Sequence, residues 1–200
     1  MSVSLQKGQK VSLTKDNAGL GQVVVGLGWD EAKKSGGLLG GLFGGGQGID
    51  LDLGCLFELK DGRKGVVQAL GNAFGSLTQP PFIALDGDDR TGAVTTGENL
   101  RIDGNKIALF KRILVYTFIY EGVANWKQAD ATVTIKYPGA EDLIVKMDTY
   151  DSNDRMCGLV LLENVNDETF SVEKIVQFYT GHPALDAAYH WGLRWQAGKK

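Results

Sequence analysis

An all-β fold, sandwich or barrel, with a short C-terminal helix and one glycine-rich surface loop, is what this 200-residue sequence predicts. Three observations predict it. Seven or more short β-type runs recur at intervals of about 10–15 residues, which favours a sandwich or barrel over a doubly wound sheet. Helical periodicity is confined to the last twenty residues and a weak segment at 125–128. The chain carries 28 glycines, about double the usual share, so its backbone turns often.

Val3-Ser4-Leu5 and Val11-Ser12-Leu13 alternate, and residues 22–29 (QVVVGLGW) form a β-branched run bounded by glycines. Residues 35–48 hold eight glycines in fourteen positions, too costly in backbone entropy for a helix or strand interior, and read as a flexible surface insertion. Residues 49–59 alternate again, with Asp50 and Asp52 at the head of the strand, and Lys60-Asp61-Gly62-Arg63 supplies a hairpin turn. A loop-rich stretch leads to an acidic, glycine-rich segment at 85–103. Further strands are predicted at 112–120, 131–137, 142–149, 156–164 and 172–180. The helix is predicted at 183–191, where Pro183 suits the first turn and Leu185, Ala188 and Tyr189 share a face. No repeat of fixed period is present, which excludes a solenoid.

Composition narrows the function classes. A net charge of −3 with scattered Lys and Arg gives no nucleic-acid footprint. The longest apolar runs, near 113–120 and 157–162, are far short of the roughly 20 residues that span a bilayer. The first residues lack a basic segment followed by an apolar run, so no secretory leader is expected. Cys55 and Cys157 are too few for a disulfide scaffold and point to reduced thiols in a cytoplasmic setting.

The acids are placed unevenly. Asp86, Asp88, Asp89, Glu98 and Asp103 fall within eighteen residues, mixed with amide and hydroxyl side chains and with glycines that expose backbone carbonyls. Such an oxygen-rich set suits a hard cation, and its irregularity suits calcium better than magnesium, which demands a strict octahedron. Asp50 and Asp52, two apart on a strand, point to the same face roughly 6–7 Å from one another. The alternative is a solvated acidic turn cluster balanced by Arg90 and Arg101. An EF-hand is excluded, because counting from Asp86 puts Thr91 at position six and Gly97 at position twelve. The second acidic stretch, residues 148–154, reads as a turn.

Several fragments in order carry a resemblance: residues 2–15 (SVSLQKGQKVSLTK), Val25-Gly26-Leu27-Gly28-Trp29-Asp30, Ile49-Asp50-Leu51-Asp52, and Gly87-Asp88-Asp89-Arg90-Thr91-Gly92. The sequence resembles the TerD family of tellurium-resistance proteins over most of residues 2–195, excepting the glycine-rich insertion. Gly97-Glu98-Asn99-Leu100-Arg101, residues 116–122 and Gly181-His182-Pro183 with Trp191, Gly192 and Trp195 look more like its TerA branch. The resemblance implies one domain over 1–200, a two-sheet β-sandwich, a cytoplasmic stress-response role, calcium as the bound ion and no enzymatic activity. Carried over by position, it implies metal ligands at Asp50, Asp52, Asp88 and Asp89, with Glu98 and Asn99 at the end of the acidic segment; Asp30 is either a ligand or a turn residue. Residues 93–99 hold fewer carboxylates than the family's acidic segment, which leaves one ion or two. Calcium and other proteins of a stress-response complex are the expected partners, and an acidic patch that recognises basic proteins without metal is the competing reading.

Other sites fail on spacing. Cys55, Cys157, His182 and His190 form no zinc pattern, and both cysteines read as small core residues without a nearby base. Gly26-Leu27-Gly28 begins like a dinucleotide fingerprint, but Glu31 occupies its third glycine position. Trp126, Trp191, Trp195, Tyr179 and Tyr189 are expected to plug one end of the core.

Overall fold

The structure, a computed structural model, describes residues 2–14, 19–29, 49–86, 98–122, 126–147 and 152–196. The described strands, in chain order, are β1 (Ser2–Ser4), β2 (Lys10–Ser12), β3 (Gln22–Gly28), β4 (Asp50–Leu59), β5 (Lys64–Gln68), β6 (Gly75–Ser76), β7 (Ile83–Leu85), β8 (Glu98–Asp103), β9 (Phe110–Glu121), β10 (Thr132–Lys136), β11 (Asp142–Lys146), β12 (Met156–Val165) and β13 (Thr169–Tyr179). Two short helices, α1 (Trp126–Ala129) and α2 (His182–Ala188), complete the set with two 3-10 turns at Leu70–Asn72 and Gly104–Leu109.

The strands form two sheets. One runs β1-β11-β10-β3-β8-β7-β6 and the other β2-β13-β12-β9-β4-β5. All pairings are antiparallel except β1 with β11. Alternation along the strands gives each sheet an inner apolar face: Val23, Val25 and Leu27 of β3 and Leu100 and Ile102 of β8 meet Leu51, Leu53 and Cys55 of β4 and Ile113 and Val115 of β9 in one buried cluster. The two-sheet sandwich expected from the family resemblance is the fold observed.

The acidic segment is not all loop. Residues 98–103 form β8, buried at every second position and paired with both β3 and β7. Charge masked this strand in the sequence, because Glu98, Arg101 and Asp103 interrupt its apolar residues. The hairpin at Asp61-Gly62 joins β4 to β5, with the Asp61 carboxylate accepting from the Arg63 N–H and Gly62 in the left-handed region at φ +88°.

A second apolar cluster lies on the outer face of the six-stranded sheet. Leu56, Leu114, Tyr116, Phe118, Met156 and Ile175 project outward there and are covered by Leu185 and Trp191. Two glycines permit that cover. A Cβ on Gly54 would lie 2.8 Å from the Tyr116 ring, and one on Gly158 would lie 3.2 Å from Leu185 Cδ1, so both positions favour a bare backbone.

The aromatic expectation is therefore corrected in part. Trp126 is fully buried in the inter-sheet core, where its Nε1–H donates to the Asp154 carbonyl. Trp191 and Trp195 cover the outer sheet face instead of plugging the core's end. The helix also stops three residues short of its expected end at 191. Asp186 ends it: its carboxylate accepts from the Gly192 and Leu193 N–H groups and from Trp195 Nε1–H, drawing the chain back over its own helix.

Candidate functional site

Three of the candidate acids, Asp50 and Asp52 at the head of β4 and Glu98 at the head of β8, lie at one end of the sandwich. β5 stops at Gln68 opposite Gly54, so among the described residues no strand pairs with the first residues of β4 on that side. Glu98, at the start of β8 in the opposite sheet, reaches across and accepts a hydrogen bond from the Leu53 N–H at 2.5 Å. Asp52 is 0% exposed and Glu98 2%. One oxygen of each of Asp50, Asp52 and Glu98 is shielded from solvent. By strand alternation Asp50 and Asp52 share the outer side of β4, while Leu51 and Leu53 enter the core.

Asn99 is set apart from Glu98. It alternates to the opposite face of β8, and its Oδ1 lies 3.0 Å from where a Cβ on Gly26 would stand. Asp86 is held by Arg101, whose Nε and Nη2 donate to its two carboxylate oxygens at 2.6 Å each, while Nη1 donates to Gln22. The Asp86 N–H donates to the Asn99 carbonyl, so both ends of the 87–97 segment emerge at this end of the sheet. Asp88, Asp89 and Asp30 lie outside the described residues, as do Arg90 and the glycine-rich insertion. Among the described residues no three His, Cys, Asp or Glu side chains gather as a metal site.

A second polar constellation sits under the C-terminal segment, and sequence reading missed it. Tyr116 O–H donates to Gln68 Oε1 at 2.6 Å, and His182 Nε2 lies 2.9 Å from the same oxygen. Gln68 Nε2 in turn donates to the Leu70 carbonyl. Glu58, 5% exposed, accepts from Lys111 and Arg112. Arg112 also lies 3.9 Å over the Trp191 ring and donates to the carbonyls of Tyr189 and His190. Trp191 Nε1–H donates to the Phe57 carbonyl, and Lys64 donates to the Trp191 carbonyl. Apart from Gln68 and Leu70, the partners lie 48 to 134 residues apart in the chain, so no local motif announces them.

Burial lowers the His182 pKa from its ordinary 6.5 to about 4. The unfolded chain therefore takes up this proton first, and the stability that neutral His182 carries is complete above about pH 6.5 and is lost as pH falls toward 4. Replacing His182 with Phe is expected to flatten the acid limb of a urea-stability profile by roughly 1–2 kcal/mol between pH 6.5 and 4.5, after discount for partial exposure. Parallel wild-type and variant profiles over that window would contradict it.

The thiols conform to their expected role. Cys55 and Cys157 are fully buried in the inter-sheet core, and burial pushes both thiols far above their usual range. Neither is expected to react with a disulfide reagent in the native state, and both should react once denaturant is added. Stoichiometric labelling of folded protein would refute this.

The profile of the TerD domain matches residues 1–137, which run from β1 to the end of β10. The chain belongs to the TerD domain family. It is 41% identical to tellurium resistance protein TerA of an Alcaligenes species over 96% of its own length and 58% of that protein's. It is 39% identical to stress response protein SCP2 of Bacillus subtilis (strain 168), over 52% of this chain and 47% of that protein. The chain thus spans about half the length of these two curated relatives. Among solved structures, a Streptomyces coelicolor A3(2) homologue of telluride resistance protein (TerD) superimposes with a TM-score of 0.58 over 84% of this chain and 96% of that one, at 18% identity, a likeness of fold. The TerD-family profile ends before α2 and the Trp191 cover, whereas the TerA match extends over nearly the whole chain. Among the described residues no helix is long and apolar enough to cross a membrane.

Proposed function

We propose that this TerD-family protein is a cytoplasmic, non-enzymatic calcium-binding module of a tellurium-resistance or stress-response system, with its ion at the end of the sandwich where β4 meets β8. The observation that carries this reading is the buried Glu98 carboxylate on the N–H of Leu53, the residue that follows Asp52 in β4, with Asp86 and Glu98 flanking residues 87–97. The donor chemistry fits: carboxylates and backbone carbonyls suit a hard cation, and neither histidine nor cysteine ligation is called for. Asp50 and Asp52 from β4, Glu98 from β8, and Asp88 and Asp89 from the connecting segment would supply the ligands of one ion or two. Calcium would supply charge neutralisation that ties the two sheets together at this end, while β4 and β8 hold their carboxylates in fixed directions. The names of TerA and SCP2 support the resistance and stress-response setting.

A metal-free acidic interaction patch is the second reading, favoured by the Arg101 fork on Asp86, which balances one acid without an ion. Thermal unfolding of chelator-stripped protein, titrated with calcium and with magnesium as control, separates the two. A calcium-selective rise that Asp88→Ala loses supports the module. No rise at millimolar calcium, with partner capture that falls with salt and ignores chelator, supports the patch.

A further inference from the structure

We propose that the cleft between the end of β9 and α2 binds a small aromatic molecule carrying one hydrogen-bond donor, which it presents to Nδ1 of His182. The cleft measures about 240 Å³ and opens to solvent on one side; Leu70, Phe118, Tyr120, Met156, Arg155 and His182 line it. A closed apolar cavity of roughly 150 Å³ is enough to take up benzene, so this one has room for a bicyclic ring.

Its polar character is narrow. The Arg155 guanidinium, although it borders the cleft, is engaged by the backbone carbonyls of Ile119, Tyr120 and Gly122. His182 is different. Gln68 points its amide nitrogen at the Leu70 carbonyl, which fixes Oε1 toward Tyr116 and His182. A carbonyl oxygen only accepts, so His182 must donate to it from Nε2. Burial keeps the ring neutral, and a neutral imidazole protonated at Nε2 leaves Nδ1 as an acceptor. The ring cannot turn freely, because Tyr116, Phe118 and Trp195 flank it at centroid distances of 5.3, 5.1 and 4.8 Å. The cleft therefore combines aromatic and thioether walls with one oriented acceptor, which matches a planar ring bearing an N–H or O–H.

The inference is independent of the calcium reading and is tested in chelator. Indole and N-methylindole, in which a methyl group replaces the N–H donor, are titrated into the full chain by calorimetry, with saturation-transfer NMR as a second readout. Indole is expected to bind, and N-methylindole to bind about 3- to 10-fold more weakly, the span of one net hydrogen bond. His182→Phe, which keeps an aromatic ring there, should bind the two probes alike, and Leu70→Trp, which fills the cleft, should bind neither. Wild-type protein that binds no indole at millimolar concentration, that binds both probes equally, or that is matched by Leu70→Trp overturns the proposal. The probe comparison needs no variant, so it stands even where His182→Phe folds poorly.

Discussion

Replacing Trp191 with Ala is expected to cost about 3–5 kcal/mol of stability, the usual loss for truncating a buried tryptophan. Trp191 is 1% exposed, packs on the outer face of the six-stranded sheet, and carries Arg112 on its ring. Truncation leaves three defects at once: a cavity over Leu56 and Leu114, a Phe57 carbonyl without its indole donor, and an Arg112 that keeps Glu58 but loses its stacking surface. In a chain of this size the melting temperature should fall by roughly 10–15 °C. Arg112→Lys should fall between variant and wild type, because an ammonium cannot stack and fork toward Glu58, Tyr189 and His190 together. Urea unfolding monitored by circular dichroism reads both. A loss under about 1 kcal/mol for Trp191→Ala would show that the C-terminal segment covers the sheet without stabilising it.

Calcium should act in the opposite direction and by a comparable amount. An ion that binds the native chain and not the unfolded one stabilises it by about 2.7 kcal/mol at a hundredfold excess over Kd, which corresponds to roughly 5–10 °C. Asp52→Asn and Asp88→Ala should each remove most of that rise. Asp86→Asn should retain most of it, because the Asp86 carboxylate is committed to Arg101. A rise lost equally in all three variants would place the effect in the general acidity of this end, and no rise in wild type would end the calcium reading. The fold would stand in either case, since it rests on the apolar alternation of both sheets.

The two experiments probe different ends of one strand. Asp52 pairs with Phe118 across β4 and β9, and Phe118 lines the aromatic cleft. β4 thus carries the acids at its head and, at its tail, Phe57 and Glu58, which hold Trp191 and Arg112. The C-terminal segment binds the tail through Trp191, with Arg112 of β9 bridging Glu58 to the Tyr189 carbonyl, and β8 binds the head through Glu98.

By itself the sequence determined the all-β class, most strand positions, the core placement of both cysteines and the family. These are local or compositional properties: strand alternation has a period of two, glycine marks turns, and family fragments keep their order along the chain. Only the tertiary structure decided the rest. β8 was hidden because a strand that starts with a buried Glu and carries Arg101 and Asp103 reads as polar loop until its pairing with β3 and β7 is known. The place of Trp191 was undecidable for a related reason, since periodicity shows that an aromatic residue is buried and not which of two apolar faces receives it. Glu98 on Leu53, Tyr116 and His182 on Gln68, and Trp191 on Phe57 join residues 45 to 134 positions apart. Such contacts leave no spacing in the sequence, because they exist only once two sheets have stacked and the chain's end has folded back across one of them.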